Sequence, residues 1–333
     1  MSLGQLGVVI PVHGSIRPVL PLLESLRGDQ APAADRPARV IVVDDATPVP
    51  VAADDLPVGT ELIRRETNGG FGAAVNTGLA ALAETVLADE PFAHEAPAHG
   101  VERGRIEHAL VLNSDLEIPR GFCRRLVEHA RPWMPAVVGC RNVGESGGSG
   151  YAARRFPTIG HQVTEWLVPL ASQRHRDLLH RAVGHDLDAE RGTGMIPVDW
   201  VSGAVLLLPL AEVRGAGGFD EGYFMYTEEV DLQLRLRREG IPSLLDADLE
   251  VRHVGGASSG GEARRRGWLV GARMRYARKH SSVHLLRAGM SLATGVNLVW
   301  NAGRRAAGRD VHPLAVAREE LHLIHRSGRE LPR

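Results

Sequence analysis

The chain has 333 residues, 44% of them hydrophobic, enough to bury one large α/β core and still carry an appended element. Its 39 basic and 40 acidic side chains leave a formal charge of −1, which argues against a nucleic-acid binder whose affinity comes from neutralising phosphates. Cys123 and Cys140, its two cysteines, lack the close spacing of a zinc site or a redox pair and fit a reducing compartment.

In chain order, Met1 to Gly7 has no basic n-region and the apolar run after it is cut by Pro11, so no signal peptide is expected. Val8 to Val12 is a short β-branched run, followed by apolar residues at helical spacing from Val19 to Leu26: a strand, then a helix. Val40 to Val43 is a second buried strand, running into Asp44-Asp45, and Glu61 to Arg64 a third. Asn68-Gly69-Gly70 precedes a helical Ala/Leu pattern between Phe71 and Leu87. Asp89 to Glu107, rich in Pro, His, Glu and Gly without a period, reads as a surface insertion. Ala109 to Leu112 is a fourth strand ending in Asn113-Ser114-Asp115, after which Pro119 is placed to open a helix at its first turn. Gly144 to Gly150 has the composition of a mobile loop, and residues 161 to 183 regain a helical pattern. Trp200 to Leu208 is expected to be one buried strand, Glu229 to Arg238 a helix, and Leu249 to His253 a last strand.

From Arg264 onward the chain is rich in Arg and Lys. Val283 to Val299 is largely apolar, flanked by Arg278-Lys279 and Arg304-Arg305, and too short and interrupted to span a bilayer. It suits an interfacial amphipathic helix, or equally a helix packed on its own domain or on the partner of a homodimer. The expectation is a cytoplasmic protein, peripheral at most at the inner face of the membrane.

Strands alternating with helices imply a mostly parallel sheet, and such sheets bind ligands beyond the carboxyl ends of their strands. Asp115 can offer a hard oxygen to Mg²⁺ or Mn²⁺ there, or cap the next helix. Asp44-Asp45 can accept hydrogen bonds from a base or ribose, or simply make a turn. The glycines after Asn68 allow close backbone approach to a ligand near a helix N-terminus. Glu228, Glu229 and Asp231 put three acids in four positions at a helix start behind the aromatic run Tyr223 to Tyr226, an arrangement suited to an oriented, ionised base. His253, at a strand end, has the chemistry of a metal ligand. Arg273, Arg275 and Lys279 offer positive charge for a leaving group or anionic lipid, or form a solvated helix face.

Taken together, Val42-Val43-Asp44-Asp45, Asn68-Gly69-Gly70-Phe71-Gly72, Leu112-Asn113-Ser114-Asp115, Trp200-Val201-Ser202-Gly203-Ala204, Gly218-Phe219-Asp220-Glu221, Tyr226-Thr227-Glu228-Glu229-Val230-Asp231-Leu232 and His253-Val254-Gly255-Gly256 resemble the family 2 glycosyltransferases, especially their bacterial rhamnosyltransferase-like branch. The resemblance spans roughly residues 6 to 280 and implies a GT-A fold: a Rossmann-like, mostly parallel nucleotide-binding sheet flanked by helices, with a C-terminal helical extension. It divides the chain into a catalytic domain over 1–258, donor-binding to about 140 and acceptor-side from about 141, and an extension over 259–333.

The activity so implied is inverting transfer of a sugar from a nucleotide-diphosphate donor to a hydroxyl of a glycan, lipid-linked or small-molecule acceptor, with dTDP-rhamnose ahead of UDP- and GDP-sugars. Asp44 would contact the base, Asp115 and His253 would hold Mg²⁺ or Mn²⁺, and Glu229 would be the base, with Glu228 or Asp231 as alternatives. The nucleotide-sugar site would draw on Pro11, His13, Asp44, Asp45, Asn68, Gly69, Gly72, Asn76, Asn113, Ser114, Asp115, Trp200 and Gly203. Asn113 stands where the metal motif usually has Asp, and Glu229 where the base is usually Asp. Those departures keep a non-catalytic sugar-nucleotide-binding module as the rival reading. A nucleotidyltransferase is further away, because Pro11-Val12-His13-Gly14-Ser15 does not resemble its Arg- and Lys-bearing loop.

Overall fold

In a computed structural model that describes residues 3–27, 35–84, 105–144, 147–171, 176–253 and 261–326, the N-terminal half alternates strand and helix. Strands β1 (Leu6–Val12), β2 (Arg39–Asp44), β3 (Thr60–Arg64) and β4 (His108–Leu112) lie parallel in the order β3-β2-β1-β4. Helices α1 (Leu20–Arg27) and α2 (Phe71–Glu84) connect them. The sheet is covered on both faces. Val8, Ile10 and Val12 pack with α1, while Val9, Ile41 and Val43 pack with α2. Double coverage makes β1, β2 and β4 near-continuous apolar runs, which is why they were recognisable.

Beyond β4 the order departs from a simple parallel sheet. A short β5 (Leu116–Glu117) leads to α3 (Phe122–Ala130) and β6 (Val137–Gly144), a strand that was not anticipated. Pro119 does not open α3. Its carbonyl accepts from Phe122 N at 3.1 Å and Gly121, at φ 68°, turns the chain first. The described part of the Gly144–Gly150 loop is pinned by hydrogen bonds from Gly144 N to Gly148 O and from Gly150 N to Asn142 O; residues 145 and 146 lie outside the described residues, as do 85–104, which hold most of the expected insertion.

After β7 (Ala153–Arg154), the helical stretch expected over 161–183 is broken into α4 (Ile159–Trp166), α5 (Val168–Ala171) and α6 (Asp177–Ala182), followed by α7 (Leu187–Arg191) and β8 (Met195–Val198). The expected single strand Trp200–Leu208 is two. β9 (Trp200–Val201) pairs antiparallel with β7, the chain turns at Ser202-Gly203-Ala204, and β10 (Val205–Pro209) inserts antiparallel between β4 and β6. An apolar run cannot by itself announce a change of sheet.

Helices α8 (Leu210–Gly215) and α9 (Glu228–Arg238) precede β11 (Ser243–His253), which begins six residues before the expected Leu249 and runs parallel to β6. Because β10 is antiparallel to β4, the end of β4, the start of β10 and the ends of β6 and β11 meet at one sheet edge. Asn113 N donates to Ala204 O across it at 3.0 Å, and His253 pairs with Leu116.

The chain closes with α10 (Glu262–His280), α11 (Val283–Ala306) and α12 (Pro313–Arg326). Trp166 of α4 packs among Val270, Met274, Leu286, Met290 and Ile324 of these helices. Among the described residues, no helix is long and apolar enough to cross a membrane.

Candidate active site

The loop after β2 and the glycine loop before α2 are tied together by Asp45. Its carboxylate accepts from Gly69 N at 3.1 Å, Gly70 N at 2.8 Å and Arg65 Nε at 2.8 Å, and it is 3% exposed. His13 donates Nδ1–H to the Asp45 carbonyl at 2.9 Å, and the Asn68 amide donates to His13 Nε2 at 3.1 Å, partners that assign the neutral tautomer. Asn68 Oδ1 accepts from Gly70 N at 3.0 Å. Gly70 sits at φ 84°, and a Cβ there would lie 1.8 Å from Phe224 O, so only glycine lets this loop meet the Tyr223–Tyr226 segment. Pro11 lies on β1 one residue before that strand's end.

Asp44 is fully buried. It accepts from Thr47 N at 2.8 Å, Val51 N at 3.1 Å and the Arg64 guanidinium. Burial pushes its carboxyl up, but these donors outweigh burial and hold it below the usual range. Asp44 thus makes the contacts of a turn, which leave acceptor capacity on its carboxylate.

Two other anticipated ligand residues have structural partners. Asn76 holds Phe219 by both ends of its amide, Nδ2 donating to Phe219 O and Oδ1 accepting from Phe219 N, each at 2.9 Å. Gly72 is buried, and a Cβ on it would stand 3.1 Å from Phe219 and 3.7 Å from Glu228. Both clamp the segment leading into α9 onto α2.

That segment carries backbone strain. Tyr226 (φ 72°) and Thr227 (φ 71°) are consecutive non-glycine residues in the left-handed region immediately before Glu228, a conformation that costs of order 1–3 kcal/mol per residue and persists only where surrounding contacts enforce it. The three acids that follow go different ways. Glu228 is 3% exposed and packs beside α2, with Oε2 unpartnered among the described residues; burial and then the Glu229 charge push it up to about 8. Glu229 approaches Gly203, its Cγ 3.6 Å from where a Cβ would be, and its Oε2 is also buried without a partner among the described residues. Burial raises Glu229, against which backbone amides and the Arg154 charge act.

Asp231 is saturated. Its carboxylate receives Lys279 Nζ at 2.6 Å, His280 Nε2 at 2.7 Å and Arg235 Nε at 2.9 Å, with Tyr223 OH at 3.4 Å. Burial pushes it up, but these donors bring it below its ordinary value of 3.8. Lys279 and Arg275 also hold Asp220, at 2.6 Å each. Their charge is thus directed at α9 and its approach, not outward. We expect Asp231→Asn to cost about 3 kcal/mol, the low end for breaking a buried ion pair because Lys279 keeps contact with water. A depressed carboxyl contributes stability that is present above its ordinary pKa and lost as pH falls below it. The gap between wild type and variant in denaturant titrations should therefore narrow below about pH 4; a constant gap would show that Asp231 acts by packing alone.

Glu229 lines a cavity of about 240 Å³ together with Trp200, Tyr226, Arg154, Glu165 and Arg273. Trp200 donates Nε1–H to Arg155 O at 2.9 Å, and the Arg154 guanidinium lies 5.5 Å from its ring centre. Arg273, 7% exposed, pairs with Glu165. Arg154 and Glu165 were not anticipated. The signal available was Arg154-Arg155 directly before Phe156-Pro157, too short to separate from a surface pair.

At the sheet edge, His253 Nε2 and Asp115 Oδ1 stand 3.0 Å apart although 138 residues separate them in sequence. Asp115 is 9% exposed, Asn113 and Ser114 beside it half-buried. Among the described residues no group of three or more metal-type side chains occurs. One carboxylate and one imidazole nevertheless suit a divalent cation that takes its remaining ligands from substrate phosphates and water.

Comparison with known proteins adds a second line of observation. The model of Glycosyl transferase family 2 matches residues 7–88. The chain is 30% identical over 260 residues to the N-acetylglucosaminyl-diphospho-decaprenol L-rhamnosyltransferase of Mycobacterium tuberculosis, an alignment covering 76% of this chain and 78% of that protein. It is 28% identical over 91 residues to rhamnosyltransferase WbbL of Escherichia coli, covering 27% and 30% of the two chains. Among solved structures, it is similar to the crystal structure of GalNAc-T7 with UDP, GalNAc and Mn²⁺ at a TM-score of 0.50 and 13% identity, covering 77% of this chain and 44% of that longer one. The last likeness speaks for the fold.

Proposed function

This chain belongs to the family 2 glycosyltransferases with a GT-A fold, and from that premise we propose that it is an inverting, divalent-metal-dependent rhamnosyltransferase whose base is Glu229. The observation that carries the reading is the buried carboxylate oxygen of Glu229, unpartnered among the described residues, in a cavity walled by Trp200, Arg154 and Arg273. Glu228 points beside α2 and Asp231 is saturated, so neither competes well for the role.

An acceptor hydroxyl attacks the anomeric carbon from the face opposite the nucleotide. The carbon–oxygen bond to the diphosphate breaks as the new glycosidic bond forms, and the hydroxyl proton passes to Glu229. A single displacement of this kind inverts the anomeric centre. Asp115 and His253 are the residues that would hold Mg²⁺ or Mn²⁺, whose charge would offset that of the departing nucleoside diphosphate. Asn113 and Ser114 flank them. The backbone of the Gly69-Gly70 loop, braced by Asp45, His13 and Asn68, would frame the nucleotide. We assign residues 1–258 to catalysis, donor side to about 140, and 259–333 to an extension that braces α9 through Lys279 and His280 and the segment before it through Arg275.

The name of the mycobacterial relative supports L-rhamnose as the donor sugar and a lipid-linked acceptor sugar. Calorimetric titration with dTDP-rhamnose, UDP-glucose and GDP-mannose in the presence of Mn²⁺ should give tightest binding for dTDP-rhamnose. A clear preference for a UDP- or GDP-sugar would replace that donor, and binding of none would remove the reading.

A further inference from the structure

We propose that the outer face of α11 is a docking surface for an anionic membrane. The helix cannot rotate freely. Trp166 Nε1 donates to Thr294 Oγ1 at 2.9 Å, Val168 N to Asn297 Oδ1 at 2.8 Å, and Asn297 Nδ2 to Trp166 O at 3.0 Å, all on its inner face. With that side fixed, Leu292 (75% exposed), Val296 (52%), Val299 (74%) and Trp300 (46%) are left as a stripe along about two turns of the outer face. With Pro169 and Arg304 they line an open groove of about 900 Å³. A contiguous exposed apolar surface of this kind marks an interaction site rather than ordinary surface scatter.

Charge selects the occupant. Along the stripe and its C-terminal flank, from Leu292 to Arg309, the sequence contains Arg304, Arg305 and Arg309, and its first acid is Asp310, just beyond them. A second copy docking through the same stripe would set arginine against arginine if the helices ran parallel. Running antiparallel, Arg304 would meet the end of the helix that carries the exposed His284, again with no acid to receive it. An anionic lipid surface complements both the stripe and the arginines, and an indole near the polar boundary suits the same interface.

The test is flotation of the full chain with vesicles of phosphatidylglycerol and phosphatidylcholine, against vesicles of phosphatidylcholine alone, with light scattering for the mass of the free protein. Binding reads independently of any transfer activity, so this inference and the proposed reaction fail separately. We expect capture by the anionic vesicles only, weakened ~25-fold by Arg304→Gln with Arg305→Gln, at ~5-fold per charge near the surface. Leu292→Ser with Val299→Ser should weaken it as well, and neither pair should lower the thermal midpoint, because these side chains are exposed. The proposal is overturned if the wild-type chain leaves the anionic vesicles unbound, if it binds neutral vesicles equally well, or if it is a dimer that Leu292→Ser with Val299→Ser dissociates, in which case a second copy covers the stripe.

Discussion

Glu229→Gln should lower transfer at neutral pH by at least ~10³-fold, within the span attributed to general-base catalysis, while leaving the thermal midpoint unchanged or slightly higher. The amide has the shape of the carboxyl but cannot take the acceptor's proton. Stability should not fall because burial raises the Glu229 carboxyl, meaning that the folded state disfavours its charge. The same direction sets the pH profile. A base works only when ionised, so kcat/KM should drop as pH falls through a value above the usual carboxylate range, and Glu229→Gln should erase that limb. Near-normal turnover in this variant would remove Glu229 as the base and return Glu228 to consideration.

The second large effect is expected at the sheet edge. Asp115→Ala should reduce transfer by ~10²–10³-fold, consistent with the few kcal/mol of charge stabilisation a bound cation supplies. Activity alone would not separate a ligand from a positioning residue. The decisive readout is Mn²⁺ affinity in the presence of a nucleoside diphosphate, which should fall in both Asp115→Ala and His253→Ala, because the two groups face each other at 3.0 Å. If Mn²⁺ binding survives in both, the pair is a structural contact between the turn before β5 and the end of β11.

How much of this was legible in the sequence depends on where each residue finds its partner. β1, β2 and β4 were readable because a sheet covered on both faces writes continuous apolar runs that stop at polar residues. β6 was missed because Gly139 interrupts its run, and that glycine is explained only by Val201 packing 2.8 Å from where its Cβ would be. The turn at Gly203 was hidden for a related reason: apolar residues on both sides belong to different sheets. For Asp44 and Asn76 the sequence shows side chains of a ligand-binding type and says nothing of what they hold within the fold. Their partners, Arg64 for one and Phe219, 143 residues away, for the other, come from the fold. The acidic cluster at 228–231 was visible as a cluster, but only the fold sorts its members, turning Glu229 to the cavity and Asp231 to Lys279 and His280. The approach of Asp115 to His253 was expected from resemblance alone, since no local pattern joins them.

The most direct test of the central claim is to incubate the purified chain with dTDP-rhamnose, Mn²⁺ and a lipid-linked N-acetylglucosamine acceptor, following nucleoside diphosphate release and the anomeric configuration of the product. The account predicts release that depends on acceptor, metal and Glu229, with inversion at the anomeric carbon. Retention of configuration, or donor binding without turnover on any sugar nucleotide offered, would contradict it.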